Sequence, residues 1–286
     1  MDLNQFLIRP GSKIRLSDHD TAFKGKFSKS KALKELEKQA LRLGELQDVM
    51  YAQNLYGALG VFQAIDGAGK DSVSRAVMTH VHSAGSRVTP FVAPSKHELD
   101  HTYLWRHMAA EPERGHFDIW IRSHLEEVLA VKIHPEILAS QRLPDELKDK
   151  NIWRRRYQEI RNYHQYLRNN GIVVIVLFLH ISFEEQWERL HDRTEDPKKH
   201  WKSSIGDIFE RKKYWKAYHG AAERMLSEVG GYVVPADHKW FAKMLVAKIF
   251  VRELEKLELH YPKLNKKQRE DLKETKRLLL AERRSK

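Results

Sequence analysis

The 286-residue sequence contains no cysteine. That excludes disulfide staples and thiolate metal sites, and with them the small secreted scaffolds that depend on either. Long hydrophobic runs are missing too: the longest, Ile172 to Leu179, falls well short of the roughly 20 apolar residues a membrane-spanning helix needs. The opening, Met1-Asp2-Leu3-Asn4-Gln5, lacks the charged-then-apolar pattern of a signal peptide. Together these absences predict a cytoplasmic chain with no membrane partner. There is no internal repeat and no low-complexity segment beyond a basic C terminus, and the length suits one large α/β domain or a core with insertions.

What is present in excess is positive charge, +12 overall. Ten Lys and Arg against four Asp and Glu between Lys263 and Lys286 leave +6, so half of the excess lies in the last 24 residues. A basic balance argues for a polyanionic partner, although a solvated helix face would explain the tail as well.

The chain is organised around Val61-Phe62-Gln63-Ala64-Ile65-Asp66-Gly67-Ala68-Gly69-Lys70-Asp71-Ser72. An apolar run, a glycine-rich turn and a lysine leading into a helix read as a strand, a phosphate cradle and a helix N terminus. Gly67 and Gly69 let the backbone close on an anion, Lys70 brings a mobile charge to a terminal phosphate, and Asp66 offers an oxygen to Mg²⁺ or its waters. The match to G-x-x-x-x-G-K-[ST] is partial, because Ala64 replaces the first glycine and Asp71 follows the lysine.

Before this loop, Ser28 should cap an amphipathic helix carrying Leu33, Leu36, Ala40, Leu43 and Leu46 towards Leu55, with Gly57 to Gly60 closing it. After it, strands and helices alternate, which predicts a parallel sheet covered on both faces. The expected strands are Leu59 to Ile65, Arg87 to Val92, Phe117 to Ile121, Ile172 to Leu179 and Tyr232 to Val234. Expected helices run from the loop towards Ser83, through Leu99, Leu104 and Trp105, from Ser123, from Asn151 to Gly171, and from Asp237 to about Leu257. The division is an N-terminal extension (1–58), a core (59–258) containing a charged lid insertion (about 191–229), and a basic tail (259–286).

Ligands in such sheets sit beyond the carboxyl ends of the strands. Asp66 to Lys70, Ala93-Pro94-Ser95 and Arg122-Ser123-His124 therefore converge. Arg122, directly after a strand, is placed to fork onto a phosphoryl group, and Glu126 or Glu127 could supply a carboxylate to a metal or act as a base. Arg189, Arg193, Lys198, Lys199 and Lys202 would form a positively charged flap. A competing pattern, His97-Glu98-Leu99-Asp100-His101, fits the H-E-x-x-H zinc signature, which needs both imidazoles on one helix face.

These residues resemble the family 2 polyphosphate kinases, in their short single-domain class III form. The segments that carry the resemblance are Ala64 to Asp71; Ala93-Pro94-Ser95 with Glu98 to His101 and Leu104-Trp105-Arg106; and Arg122-Ser123-His124 with Glu126 to Leu129. Asp196-Pro197 with Lys199, Trp201 and Lys202, then Glu210-Arg211 with Trp215 and Tyr218, and Val234 to Trp240 extend it over residues 10 to 258. The resemblance implies a P-loop kinase-like three-layer α/β sandwich with a helical lid, moving a terminal phosphoryl group between polyphosphate and a nucleotide with Mg²⁺. It implies Asp66, Lys70, Arg122 and Glu126 as catalytic residues, Asp66 also as metal ligand, and Gly67, Ala68, Gly69, Asp71 and Ser72 as the phosphate loop. Arg189, Arg193, Lys199 and Lys202 would be the lid cations over nucleotide or polyphosphate. Expected partners are polyphosphate and ADP/ATP, with AMP or GDP as further acceptors, in a homo-oligomer.

Four positions depart from the family pattern around the expected site: Ile121 for an acidic or amide residue, Leu125 for an aromatic, Val92 for a lysine and Ser72 for a glycine. The alternatives are a catalytically weakened P-loop protein that binds polyphosphate or nucleic acid through basic surfaces, a zinc hydrolase, and a nucleotide kinase with ATP as donor.

Overall fold

A computed structural model describes residues 1–284. Strand β1 (Leu7–Ile8) leads to helix α1 (Lys29–Gln53), β2 (Gly57–Gln63), α2 (Lys70–Val77), β3 (Val88–Pro90), α3 (Lys96–Leu99), α4 (Trp105–Met108) and β4 (Phe117–Ile121). A 3₁₀ turn (His124–Val128) precedes α5 (Ala130–Ile133), α6 (Pro135–Ser140), α7 (Ile152–Asn169), β5 (Ile172–His180) and α8 (Phe183–Glu195). A second 3₁₀ segment (Pro197–Lys202) is followed by α9 (Ile205–Val229), β6 (Gly231–Pro235), α10 (Lys239–Leu254) and α11 (Lys266–Arg284).

The sheet order is β1-β6-β5-β2-β4-β3, parallel throughout except for β1, which pairs antiparallel with β6. Two residues of β1 carry no readable periodicity, so this edge strand was not expected from the sequence. Along β2 the pleat alternates faces. Ala58 and Phe62 join the core under α1, α2 and α10, whereas Leu59 and Val61 join the core under α7 and α9. Every residue of β2 is buried, as a central parallel strand requires. Helix α10 is buried nearly all round because it lies between the sheet and α1.

Gly57 to Gly60 do not close α1. They belong to β2, and the helix ends at Asn54 in the left-handed region (φ 53°), with the Asn54 amide donating to Met50 O at 2.9 Å. Gly60 serves packing instead: a Cβ there would stand 2.7 Å from the Phe250 ring. That ring makes edge contacts with Phe62 and Phe117, and truncating it to alanine would cost about 3–5 kcal/mol. Ser28 does cap α1, accepting from the Lys31 amide at 3.4 Å. The helix expected towards Ser83 stops at Val77, the region of Leu99 and Trp105 divides into α3 and α4, and Ser123 opens a 3₁₀ turn rather than an α-helix.

The lid is less separate than its charge suggested. The second half of α9 buries Ala221, Ala222, Met225, Leu226 and Val229 in the sheet's second core, so the exposed part is mainly the 3₁₀ segment and the start of α9. The basic tail is helical, and α11 buries no residue. Among the described residues, no helix is long and apolar enough to cross a membrane.

Candidate active site

Strand β2 ends at Gln63, and the chain turns through Ala64 to Gly69 into α2. Gly67 and Gly69 take φ of 87° and 98°, which side chains with a Cβ rarely adopt, so the turn needs glycine at both. The first amides of α2 close back on the loop: Ser72 N and Val73 N both donate to Gly69 O at 3.0 Å. The Ser72 hydroxyl donates to the same oxygen at 3.0 Å. Ala68 is buried, and its amide donates to Ile65 O at 3.3 Å.

Asp66, Lys70 and Arg122 come together beside this turn. Asp66 Oδ1 accepts from Arg122 Nη2 at 2.5 Å and lies 3.5 Å from Lys70 Nζ. Burial alone would raise the Asp66 carboxyl, but Lys70 and Arg122 outweigh it and hold it below its ordinary range, so it is ionised. Lys70 is 8% exposed and donates to Ala64 O at 2.8 Å. Burial lowers its pKa, with Asp66 opposing. Arg122 follows β4 at φ 62°, an uncommon conformation for a residue with a Cβ, fixed by its amide donating to Phe62 O at 3.0 Å. Burial works against its charge, and the carboxylates of Asp66 and Glu126 outweigh that effect, raising its pKa.

A cleft of about 630 Å³ opens next to this cluster, lined by Asp66, Val92, Arg106, Arg122, Glu126 and Tyr214 among others. A second cavity of about 320 Å³ adjoins it and shares Glu126, Arg106 and Pro94. Glu126 therefore stands at the junction. Burial pushes its carboxyl above the ordinary range against the pull of Arg122 and Lys70. With its amide nitrogen turned towards that carboxylate, Gln63 donates to Glu126 Oε1 at 2.7 Å and accepts from Ser123 N at 3.0 Å and Ser123 Oγ at 2.8 Å. Sequence reasoning missed Gln63, although a polar residue in so apolar a strand is a signal, since a buried amide must find partners.

The lid cations divide. Arg189 is buried beneath the loop, where Nη1 donates to Ala68 O at 2.7 Å and Gly67 O at 3.3 Å, and Nη2 donates to Asp237 O at 3.2 Å and to Ala236 O. Its Nε binds Glu185 Oε1 at 2.7 Å, so its donors are spent on protein. One turn earlier, Gln186 donates to Asp66 O at 2.8 Å, and nothing in the sequence flagged it. Lys202 reaches Asp71 Oδ2 at 2.8 Å and ties the lid to the start of α2. Burial of Asp71 is outweighed by this hydrogen bond and charge, which hold its carboxyl low. Arg193 Nη1 binds Asp207 Oδ2 at 2.9 Å at the cleft wall, and Lys199 pairs with Asp196 at 2.9 Å within the lid.

Of the four departures, Val92 is 68% exposed on the cleft wall and Ser72 is on the loop. Ile121 and Leu125 do not face the cleft as expected. Ile121 is buried in the core that holds Ala68 and Val73, and Leu125 in the core that holds Trp120 and Tyr163.

The zinc reading falls on geometry. Helix α3 ends at Leu99, short of His101, whose ring stacks on Trp105 at 4.0 Å. Glu98 is the second half of a capping box, accepting from Ser95 N at 2.6 Å. Among the described residues, no group of three His, Asp or Glu side chains could hold a metal ion.

The model of the family described as Polyphosphate kinase 2 matches residues 26–262. The chain belongs to that family. Among polyphosphate kinase 2 relatives it is 38% identical over 283 residues to the ADP-polyphosphate phosphotransferase of Rhodopseudomonas palustris, covering 96% of this chain and 98% of that one. It is 34% identical to the AMP/ADP-polyphosphate phosphotransferase of Meiothermus ruber, over 91% of this chain and 96% of the other. The crystal structure of polyphosphate kinase 2 from Arthrobacter aurescens TC1 superposes with a TM-score of 0.82 at 31% identity, covering 90% and 91% of the two chains. The P-loop kinase-like α/β fold inferred from the resemblance is thus the fold of the family's solved structures.

Proposed function

We propose that the chain transfers a terminal phosphoryl group from inorganic polyphosphate to ADP, giving ATP, and catalyses the reverse. The observation that carries this reading is the Asp66–Lys70–Arg122 cluster at the ends of β2 and β4, opening on a cleft large enough for a nucleotide. The near full-length similarity to a protein named for this activity supports it. The names of relatives extend the acceptors to be tested to AMP and GDP.

Phosphoryl transfer asks chiefly for positioning and charge stabilisation. In this reading Lys70 and the loop amides of Gly67, Gly69, Lys70 and Asp71 hold the moving group, and Arg122 neutralises charge as it develops. Glu126, with its raised carboxyl, accepts or holds a proton at the cleft junction. Arg189 and Gln186 keep the loop carbonyls turned away from the phosphates, while Arg193, Lys199 and Lys202 exchange their carboxylate partners for substrate oxygens.

Asp66 would hold Mg²⁺. Its carboxylate is ionised and faces the cleft, and among the described residues Oδ2 accepts no hydrogen bond. One carboxylate fits an ion that takes most of its ligands from water and substrate phosphates. Bound there, Mg²⁺ would offset phosphate charge. The reading also includes a cytoplasmic setting and a homo-oligomer, which light scattering tests.

The experiment is ATP formation from ADP, long-chain polyphosphate and Mg²⁺, read by luciferase, with AMP and GDP followed by chromatography. Turnover that vanishes without polyphosphate supports the proposal. Polyphosphate that binds without turnover of any acceptor would overturn it in favour of a binding protein, and turnover with ATP alone as donor would indicate an ordinary nucleotide kinase.

A further inference from the structure

Helix α11 lies beyond residue 262, where the family match ends, and every described residue from Lys263 onwards is exposed. Its charges are sorted around its circumference. At about 100° per residue, Lys266, Arg269, Lys273, Lys276 and Arg283 fall within an arc of roughly 100°. Glu270, Glu274, Asp271 and Glu282 all fall outside that arc. One ion pair of this helix, Arg277 Nη2 to Glu274 Oε1 at 2.6 Å, also lies at its edge, away from the five. Among the described residues, none of these five cations pairs with a carboxylate. The result is a basic ridge about 26 Å long, at a rise of 1.5 Å per residue from Lys266 to Arg283.

A solvated helix stabilised by its own surface pairs would place acids three or four residues from such cations, but only Glu270, four after Lys266 and three before Lys273, is so placed, and among the described residues it forms an ion pair with neither. A ridge without acids, unpartnered by the rest of the fold, matches instead a linear polymer carrying one negative charge per repeat. Such a polymer lies along the ridge and displaces its counterions, with little need for shape complementarity. Nucleic acid could meet the same charge, but the cleft already calls for a linear phosphate polymer as donor. One chain could occupy cleft and ridge together, so that the second contact becomes intramolecular.

We propose that the ridge of α11 is an accessory polyphosphate-binding site that holds the distal part of a long donor chain while its end reacts in the cleft. The identity of the polymer rests on the reading under Proposed function. The ridge would raise affinity for long chains and leave short ones untouched, since α10 carries the chain over 16 residues to the end of the sheet opposite the cleft, where Glu258 O accepts from Gln53 at the end of α1, and a few phosphoryl units cannot span that separation.

The test uses the full-length chain carrying Arg269→Glu, Lys273→Glu and Lys276→Glu together. These side chains make no contact with the core, and an unchanged melting temperature checks that. Fluorescence anisotropy with end-labelled long-chain polyphosphate, repeated over a salt series, should show binding weakened by roughly tenfold and a shallower salt dependence in the variant. In turnover, KM for the long chain should rise by a similar factor at constant kcat, while KM for tetraphosphate stays constant.

Equal affinity for the long chain in wild type and variant would overturn the proposal. So would the same KM rise for tetraphosphate, or anionic vesicles or RNA bound in preference to polyphosphate. If wild type turns over no polyphosphate, the function reading fails on its own. The anisotropy comparison still decides whether the ridge binds the polymer.

Discussion

At the base of the cleft, Lys70 and Arg189 are 8% and 5% exposed, and both give donors to carbonyl oxygens of the phosphate loop. On the lid, Lys202 is 35% exposed and Lys199 48%, and each is matched to a carboxylate that is itself open to water. The first arrangement fixes charge before substrate arrives, which is what electrostatic catalysis requires, because nothing need reorganise at the moment of transfer. The second keeps charge in pairs that water and salt weaken, so an incoming phosphate can take the place of the acid. One region is built for the reacting group and the other for the rest of the substrate.

The largest expected effect tests that division at Lys70. Lys70→Ala removes a buried charge from the reacting group and should lower kcat by about a thousandfold or more, comparable to losing a principal transition-state donor. Luciferase-coupled initial rates at saturating polyphosphate measure it. A residual rate within tenfold of wild type would mean that the loop amides and Arg122 carry the transfer, and the base would lose its special standing.

Arg189 should instead reveal itself in stability. Replacing it with alanine leaves the buried oxygens of Ala68 and Ala236 without their donor and Glu185 without its partner. The cost should be about 3 kcal/mol, which lowers Tm by roughly 6 °C in a chain of this size. Lys199→Ala, which breaks only an exposed pair, should stay within about 0.5 kcal/mol of wild type. Thermal melts of the two variants side by side decide it, and equal shifts would break the distinction between buried and exposed cations.

Within the base, Asp66 and Glu126 are opposed carboxylates, and pH separates them. Asp66 has a folded pKa below its unfolded one, so its stabilisation is present above the unfolded value and is lost as pH falls through the folded one. Glu126 has a folded pKa above its unfolded one. The native state holds the extra proton between the two values, stability falls as pH rises through that window, and the penalty remains above it. Asp66→Asn should therefore lower Tm at about pH 8 and matter progressively less in acid, whereas Glu126→Gln should raise Tm at about pH 8 and leave it unchanged near pH 4. Shifts of the same sign at neutral pH would show that the two do not sit in opposed environments.

The phosphate loop was legible in the sequence because its requirements are local: glycines for positive φ, a lysine opening a helix and a strand before it. Phe117 to Ile121 and Ile172 to Leu179 were legible because buried parallel strands are short apolar runs, and the observed strands begin and end within a residue of those bounds. The arrangement of Arg189 was not legible. A basic residue in a charged helix reads as solvent-facing, and only the docking of α8 on the loop, with Gln186 one turn earlier, shows it turned inwards. Ile121 misled for a related reason, since its place in the sequence next to Arg122 suggested the cleft while the strand pleat turns it into the core. Chemistry set by backbone conformation could be read from the residues, whereas chemistry set by which face of an element meets another could not.

Lys202 offers the smallest effect and the finest test of the comparison. Its pair with Asp71 is 35% and 58% exposed, the range in which ion pairs contribute about 0–1 kcal/mol, so Lys202→Ala should move Tm by less than about 2 °C. Asp71 would remain ionised, and its position in the first turn of α2 favours a negative charge even without the lysine. In turnover the variant should raise KM for polyphosphate by roughly threefold and change kcat by less than about twofold, as expected of a group that binds substrate and transition state alike. Because the charge is exposed, the KM difference should close at about 0.5 M salt, where the screening length is only a few ångströms. A fall in kcat approaching that of Lys70→Ala, persisting at high salt, would place Lys202 among the buried, preorganised charges. The lid would then complete the reacting centre rather than only gather its substrate.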